Sequence, residues 1–438
     1  MVKINALLGT LKTFDIKEPE NKHFRLSNRD FFVTRLSDDE LAITFRPLEE
    51  GKRELEFIAI DEFKILSEQN TEIYEPYIVR VIEAYTGENI IECECLYEKT
   101  CGAVIHAVYD GQTKYFLVEN ADSKHVGFPK GHVEFGETEI ETAIREVLEE
   151  TQINVVPDGE FRYEYTFTAP SNARKRAVYF EAEYDYKPAE VQKSEVSDSW
   201  FLPFEEAMQH LNYEQDRNIL READEHIKKK TALTAVEILE KVYPNIKCSL
   251  TYKKPYELMI AVRLSAQCTD ARVNLVTPGL FEKYPTLKSF ADADISELED
   301  IIRPCGFFRT KAKSIKEMAQ QLIERHNGEL PDNMEQLTAL SGIGRKTANL
   351  IMGDVFGKPA IVTDTHFIRI TGRLGLTASK EPHKVEKDLI PLIPPEKSSD
   401  FCHRTVQFGR DVCRARNPKC SGCPLNFICV YGKSVAEA

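Results

Sequence analysis

Four cysteines near the end of the chain constrain its fold more than any other feature. Cys413, Cys420, Cys423 and Cys429 fall within a span of seventeen residues. Thiols this close together in a reducing compartment need a metal partner. A zinc site with four cysteines usually takes its ligands as two close pairs, and only Cys420 and Cys423 form such a pair. The spacing therefore favours a [4Fe–4S] cluster over zinc.

A glycine-containing turn over residues 340–348 (Leu-Ser-Gly-Ile-Gly-Arg-Lys-Thr-Ala) is the second constraint. Gly342 and Gly344 permit a tight turn whose backbone N–H groups can approach a phosphate and then open a helix. Lys346 lies on the first turn of that predicted helix, so its amine is carried to whatever the turn binds. The amine could clamp a phosphate or act as a nucleophile. Asp364 follows shortly along the chain.

The length of 438 residues predicts two to four domains. No apolar run is long enough to cross a bilayer, and the N-terminus lacks the pattern of a signal peptide. We therefore expect a cytoplasmic protein without a membrane partner, whose 11 cysteines are thiols or metal ligands rather than disulfides. The sequence does not predict an oligomeric state.

The net charge of −14 is unevenly distributed. From residue 231 onward, 29 Lys and Arg outnumber 24 Asp and Glu, whereas the preceding part holds 28 against 47. The last part of the chain is therefore the plausible nucleic-acid surface, and the acidic part is a poor one. Many solvated surfaces reach a basic excess of this size, so the charge is suggestive only.

Changes of pattern divide the chain into three predicted domains, 1–95, 96–226 and 227–438. Alternating apolar residues begin a new strand near residue 97. An amphipathic helical stretch over 204–227 ends in a cationic run, as a helix C-terminus prefers.

The three domains differ in predicted class. The first is an α+β module without a recognisable motif, and its predicted elements are strands at 31–34, 41–45 and 54–57 and a helix at 74–85. The last is predicted to be nearly all helix, in segments broken by Pro, Gly and Asn.

Five stretches of the last domain together resemble the endonuclease III family of DNA glycosylases. They are residues 264–270, 305–308, 340–348 and 364–369, followed by the four cysteines. The resemblance covers about 228–433 and implies two all-helical lobes, one with a helix-hairpin-helix and the other with the [4Fe–4S] cluster. Double-stranded DNA containing damaged bases or abasic sites would lie between the lobes, which makes the expected protein nucleoid-associated.

The resemblance also implies a mechanism. A damaged pyrimidine is flipped out of the duplex. The Lys346 amine attacks C1′ of the sugar to form a Schiff base, and β-elimination cuts the strand. Asp364 would stabilise the developing sugar cation and assist proton transfers. Gln267 and Phe307 would fill the gap left by the flipped base, although the family often has a smaller aliphatic residue where Phe307 stands.

Further DNA contacts are expected on the turn and on the loop between the first two cysteines. They are Gly342, Gly344 and Arg345 of the turn, and Arg414 and Arg416 of the loop. A cluster that fixes the loop would hold its charges ready for phosphates. Ser341 stands where the family usually has proline, which should loosen the turn slightly.

An acidic helical motif marks the middle domain as a second enzyme. Glu146, Glu149 and Glu150 are related by i, i+3 and i+4, so a helix presents all three on one face. Carboxylates that close repel one another unless a hard cation joins them, and Mg²⁺ or Mn²⁺ bridging a pyrophosphate fits. Glu146 and Glu149 are the predicted catalytic residues, and Arg145 can hold one carboxylate in place. A solvated acidic helix is the alternative.

Gly131, Glu137 and residues 145–153 nearly match the Nudix motif, and residues 96–226 resemble Nudix hydrolases, especially the diadenosine tetraphosphate pyrophosphatase branch. The resemblance implies a mixed sheet between helices (an α/β/α fold) and a nucleoside polyphosphate substrate. Dinucleoside polyphosphates and oxidised deoxynucleoside triphosphates both stay open. Gln152 replaces a glycine that often adopts φ > 0, a conformation glutamine tolerates poorly. Glu195 is a candidate further carboxylate.

The sequence thus predicts a bifunctional glycosylase/AP lyase of base-excision repair that acts on oxidised pyrimidines and is fused to a Mg²⁺-dependent Nudix pyrophosphohydrolase. The alternative is a repair enzyme similar to adenine glycosylases, with the Nudix domain serving only as a nucleotide or lesion reader. That branch usually lacks a lysine at position 346, and its extra domain is C-terminal and without catalytic carboxylates.

Overall fold

The structure, a computed structural model, describes residues 98–436 except 133–136, 169–173 and 188–194. Before residue 98 it describes six strands. The chain divides into two compact units, Met1–His226 and Ile227–Ala438. The first unit is built on sheets, and every regular element described in the second is a helix.

Two small sheets form from the described strands that precede residue 98. The strands are β1 (Lys3–Asn5), β2 (Gly9–Thr13), β3 (Asn21–Leu26), β4 (Arg29–Ser37), β5 (Glu40–Thr44) and β6 (Glu54–Ile58). One sheet has the order β1-β5-β4-β3, and β2 pairs with β6 in the other. These strands confirm the three predicted in this region. The helix predicted at 74–85 lies outside the described residues.

A mixed seven-stranded sheet forms the centre of the middle domain. Its strands are β7 (Glu98–Tyr109), β8 (Gln112–Asn120), β9 (Val126–Gly127), β10 (Lys130–His132), β11 (Asp158–Thr168), β12 (Arg174–Glu183) and β13 (Val196–Pro203). The main path is β11-β12-β7-β8-β13, with β10 beside β7 and β9 beside β8. Only the β12–β7 pair among these strands is parallel, which confirms the predicted mixed sheet.

Helices cover both faces of this sheet. They are α1 (Glu139–Thr151), α2 (Phe204–His210) and α3 (Glu214–Val242). Val147 of α1 packs in a core with Phe116 of β8. Tyr115, which precedes Phe116 on β8, donates its hydroxyl hydrogen to a carboxylate oxygen of Asp224 of α3 at 2.7 Å. Because neighbouring side chains of a strand point to opposite faces, α1 and α3 lie on opposite sides of the sheet, as the α/β/α prediction requires.

Helix α3 is longer than the sequence predicted. We expected a helix end at the cationic run after residue 227, but α3 continues to Val242. Ala232, Ala235, Val236 and Leu239 follow at helical spacing and are buried in one core of the second unit. Burial of this apolar face sustains the helix, and it outweighs the preference of cations for a helix C-terminus.

Two separate hydrophobic cores organise the helices of the second unit. The helices are α4 (Pro255–Ser265), α5 (Asp270–Lys283), α6 (Leu287–Ala291), α7 (Ile295–Ile302), α8 (Phe308–His326), α9 (Met334–Thr338), α10 (Arg345–Asp354), α11 (Thr365–Arg373), α12 (Pro382–Leu389), α13 (Ser398–Asp411) and α14 (Val430–Ala436). One core joins α4 through α10, and the other joins the end of α3 to α11, α12 and α13. The predicted all-helical, two-lobed architecture is confirmed. None of the described helices is both long and apolar enough to span a membrane.

Candidate active sites

The helix-hairpin-helix turn joins α9 to α10. Gly342 has φ +76°, and a Cβ at this position would lie 2.7 Å from Nε of Arg263 and 2.9 Å from Cβ of Ser314. The position therefore requires glycine. Gly344 is the N-cap of α10, with an extended backbone and nothing within 4 Å of the place a Cβ would take. The N-cap of α10 therefore leaves free space beside it, where the predicted phosphate site would lie.

The serine of this turn is anchored. The backbone N–H of Ser341 donates to Oε1 of Gln321 at 2.7 Å, and its hydroxyl donates to Oε2 of Glu317 at 2.8 Å. A proline could make neither bond, because it has no N–H and no hydroxyl. These two bonds argue against a looser turn, and the effect of serine in place of proline stays a prediction.

Lys346 and Asp364 both influence the pKa of His366. Lys346 is the exposed second residue of α10, and Asp364 caps α11 through Oδ1, which accepts from the N–H of Phe367 at 2.7 Å. Burial lowers the pKa of the His366 imidazole; the Asp364 carboxylate opposes that shift and the Lys346 ammonium adds to it. The predicted nucleophile and the predicted carboxylate therefore both influence the pKa of this imidazole.

Arg345 has a protein partner. Its Nε and Nη2 donate to the two carboxylate oxygens of Glu386 at 2.7 and 2.8 Å. The Glu386 side chain is buried, whereas nearly half of the Arg345 side chain is exposed. The bidentate pair fixes the first residue of α10 against α12. A DNA contact from Arg345 stays a prediction, and it would have to use the remaining donor edge of the guanidinium.

Gln267 and Phe307 are both exposed on short connections between helices. Gln267 lies between α4 and α5 with φ 54°, and Phe307 precedes α8 with φ 48° and is 66% exposed. Left-handed backbone is unfavourable for side chains other than glycine and persists where the surroundings enforce it. Such strained, exposed positions are compatible with the predicted insertion into DNA.

The four cysteines of the tail line one pocket. Cys413, Cys420, Cys423 and Cys429 border a space of about 360 Å³ that opens to solvent. Burial raises the pKa of the Cys429 thiol to about 11, while the N–H of Gly432, which donates to its Sγ at 3.3 Å, opposes that shift. Buried thiols that resist ionisation become thiolates when a metal binds them. The donor set therefore fits a [4Fe–4S] cluster.

Arg373 holds the cationic loop against this pocket, a role that the sequence did not reveal. Its Nη1 contacts Sγ of Cys413 at 3.2 Å and the carbonyl of Arg414 at 2.8 Å, and its Nη2 contacts the carbonyl of Ala415 at 3.2 Å. The guanidinium also lies 4.4 Å from the ring centroid of Tyr431. Arg414 and Arg416 are exposed on the loop, as their predicted role requires. No local motif could have marked Arg373, because its partners lie forty or more positions away.

In the middle domain, Arg145 organises the acidic face of α1. Its Nη1 donates to Glu146 at 2.7 Å and to Glu149 at 3.0 Å. Its Nε and Nη2 hold Glu137, and Nη2 also donates to the carbonyl of His132. The predicted role of Arg145 is thus extended from one carboxylate to three, which fixes the acidic face of the helix before any cation binds.

Glu146 and Glu150 of this site are partly buried. Burial raises the pKa of Glu150 to about 8, the Lys130 ammonium opposes that shift, and the charges of Glu146 and Glu195 add to it. Burial likewise raises the pKa of Glu146. A Cβ on Gly131 would collide with the Glu146 carboxylate, which explains the motif glycine. Glu146 and Glu150, two partly buried carboxylates on one helix, fit a divalent cation such as Mg²⁺ or Mn²⁺. Glu195 is exposed, and its charge adds to the rise in pKa of both.

Gln152 adopts the strained conformation that the motif reserves for glycine. It is the C-cap of α1 with φ 57° and ψ 17°. Its backbone N–H donates to the carbonyl of Leu148 at 2.9 Å, and its side-chain amide donates to the same carbonyl at 3.2 Å. The helix therefore ends as it would with glycine, and the acidic face keeps its geometry.

Three family models match this chain. The HhH-GPD superfamily of base excision DNA repair proteins matches residues 260–395, and the iron–sulfur binding domain of endonuclease III matches residues 413–429. The NUDIX domain matches residues 99–223. These ranges contain the turn of α10, the four cysteines and the acidic face of α1, respectively.

Curated relatives resemble the second unit over nearly their whole length. Endonuclease III of Synechocystis sp. is 45% identical over 46% of this chain and 93% of its own. Endonuclease III of Bacillus subtilis is 42% identical over 44% of this chain and 88% of its own. A solved structure of a trapped endonuclease III–DNA covalent intermediate is 43% identical, covers 47% of this chain and 97% of its own, and has a TM-score of 0.45.

Proposed function

The C-terminal part of this chain belongs to the endonuclease III family and the middle part is a Nudix hydrolase domain, and on that basis we propose a base-excision repair enzyme with two active sites. Residues 227–438 would remove oxidised pyrimidines from double-stranded DNA and cut the abasic strand. Residues 96–226 would hydrolyse a diphosphate bond of a nucleoside polyphosphate. The protein would work at the nucleoid, in the cytoplasm.

The reaction on DNA uses Lys346 as its nucleophile. The Nζ atom attacks C1′ as the bond from C1′ to the damaged base breaks, and opening of the sugar ring gives an imine. Loss of a proton from C2′ then breaks the bond from C3′ to the phosphate oxygen, which cuts the strand. The observation that carries this assignment is the position of Lys346, which is exposed as the second residue of α10 directly after the turn of Gly342 and Gly344, within the range matched by the HhH-GPD family.

Asp364 would stabilise the positive charge that develops on the sugar. Its Oδ1 is held by the N–H of Phe367, so the carboxylate keeps one orientation at the start of α11. A fixed carboxylate needs no reorganisation as charge develops, which is how electrostatic stabilisation lowers a barrier. Lys346 also favours this function over an adenine-glycosylase-like one, because that branch usually lacks this lysine.

Borohydride trapping tests the Lys346 assignment. Wild-type protein and a duplex with an abasic site or thymine glycol should give a covalent complex, because hydride reduces the imine to a stable amine. Lys346→Ala should give none, whereas Lys313→Ala, at an exposed lysine of α8, should trap as wild type does. A complex that persists in Lys346→Ala would exclude this nucleophile.

In the Nudix domain, Glu146, Glu149 and Glu150 would hold Mg²⁺ or Mn²⁺. The bound ion would polarise the diphosphate and lower the pKa of an attacking water. Arg145 keeps Glu146 and Glu149 on one face of α1, so the site is organised in advance. Dinucleoside polyphosphates and oxidised deoxynucleoside triphosphates are the two candidate substrate classes.

Formation of the nucleotide products from a panel of both substrate classes, separated by chromatography after incubation with Mg²⁺, tests the hydrolase. Activity should vanish in Glu149→Gln and persist in Glu205→Gln, which changes an exposed glutamate of α2. Absence of turnover by the wild type on every nucleotide would instead support a domain that only binds nucleotides.

A further inference from the structure

The two connections that carry Gln267 and Phe307 are joined beneath the surface by one lysine. Lys311 lies on the first turn of α8 and is 1% exposed. Its Nζ donates to the carbonyl of Leu264 at 2.8 Å and to the carbonyl of Cys305 at 2.9 Å. Leu264 lies three residues before Gln267, and Cys305 lies two residues before Phe307. The Lys311 ammonium therefore links the two backbone segments from which both exposed connections begin.

Burial of the Lys311 ammonium costs free energy, which its hydrogen bonds to two backbone carbonyls must offset. Removal of an ammonium from water is unfavourable, and burial lowers the pKa of the Lys311 amine. A leucine or methionine could fill much of the same space without that penalty. Neither of them could donate to two backbone carbonyls that belong to different segments.

The backbone around the two exposed residues needs such a constraint. Gln267 and Phe307 both hold left-handed φ values, and the glycine before Phe307 also has a positive φ of 69°. Strained backbone of this kind relaxes unless neighbouring contacts enforce it. Lys311 also sits one turn after Phe307, whose carbonyl accepts from the Lys311 N–H at 3.1 Å. The same residue thus fixes Phe307 through its backbone and both connections through its side chain.

We propose that Lys311 is a positioning residue for base extrusion, which holds Gln267 and Phe307 at a fixed separation so that both enter the gap in the duplex together. The proposal rests on the proposed glycosylase function, in which these two residues replace the extruded base. In this proposal the two lysines have different roles. Lys346 attacks the sugar, and Lys311 positions the two residues that replace the extruded base, so that the sugar becomes accessible to Lys346.

Lys311→Met tests the proposal, because methionine has a similar length and no donor. Lys316→Met is the matched control: Lys316 lies on the same helix, is half-buried and donates to the carbonyl of Ala293 at 2.7 Å, away from both connections. Two single-turnover rates are compared. The first is excision of thymine glycol from a fully paired duplex. The second is borohydride trapping on an abasic site inside an unpaired bubble, where no stacked base has to be displaced.

The expected result is a selective loss. Lys311→Met should slow duplex excision by roughly 10- to 100-fold, as misplacement of positioning groups does, and leave bubble trapping within about twofold of wild type. A 2-aminopurine beside the lesion should lose most of its fluorescence increase on binding. Lys316→Met should match wild type in all three measurements.

Other outcomes overturn the proposal or its premise separately. Equal loss of both rates in folded Lys311→Met, or loss of neither, would contradict a positioning role. If wild type itself neither excises nor traps, the glycosylase function fails rather than this inference. Should Lys311→Met lose its cluster absorbance and not fold, Lys311→Gln, with a shorter donor, must show the same selective loss or the proposal is refuted.

Discussion

Replacement of Gly342 by alanine should disrupt the helix-hairpin-helix turn far more than the same change at Gly344. A non-glycine residue at φ +76° costs roughly 1–2 kcal/mol. The new Cβ would also lie 2.7 Å from Arg263 and 2.9 Å from Ser314, and overpacking of this kind costs typically 1–3 kcal/mol. Since α4 and α8 hold these two neighbours inside a packed lobe, we expect a total destabilisation of about 2–5 kcal/mol for Gly342→Ala.

Gly344→Ala is the internal control for this prediction. Gly344 has φ −99° and open space where a Cβ would lie, so alanine fits there without strain. The cost is the difference between alanine and glycine as an N-cap, about 0.5–1 kcal/mol. Guanidinium unfolding of the full chain, followed by the helix signal and by loss of cluster absorbance, measures both variants.

Affinity for an abasic duplex should follow the same order, because the proposed binding of a phosphate by the turn requires its native backbone. Gly342→Ala should weaken binding strongly and Gly344→Ala weakly. If the two variants lose equal stability, or Gly344→Ala loses more, the argument from φ and from the close neighbours of Gly342 is wrong.

Three further changes test other parts of the structure. Gln152→Gly should stabilise the Nudix domain by about 0.5–1 kcal/mol, because glycine adopts φ 57° without strain; an unchanged or lower melting temperature would contradict this. Arg373→Lys keeps the charge but cannot span the contacts to Cys413 and the loop, so the cluster should be lost faster in air and DNA affinity should fall. Arg345→Ala and Glu386→Ala should each cost about 1–3 kcal/mol, and the double variant should cost less than their sum. Additive losses would show that the pair is not coupled.

Many candidate residues of both sites could be named from the sequence because they lie close together in it. The spacing of the four cysteines and the i, i+3, i+4 relation of the glutamates place like groups together whatever the rest of the fold does. The end of α3 could not be predicted in this way. The cationic run after residue 227 is a local signal, whereas the apolar face that extends the helix to Val242 has meaning only against helices far along the chain. Burial of this apolar face against distant helices therefore determines where α3 ends.

The positioning residues escaped prediction for a related reason. Arg145 was recognised because its partners Glu137, Glu146 and Glu149 lie within eight positions. Lys311 reaches Leu264 across 47 positions and Arg373 reaches Arg414 across 41, and both bind backbone carbonyls.

Every residue has a carbonyl, so a carbonyl acceptor cannot be recognised from a sequence, whereas a carboxylate partner can. A motif can therefore identify the groups expected to react and miss the cations that join two distant segments of the chain. Lys311 and Arg373 each join two segments in this way, one beneath the predicted wedge and the other beside the cysteine pocket. Differences in lesion preference between relatives with the same catalytic lysine should therefore be sought first at such cations.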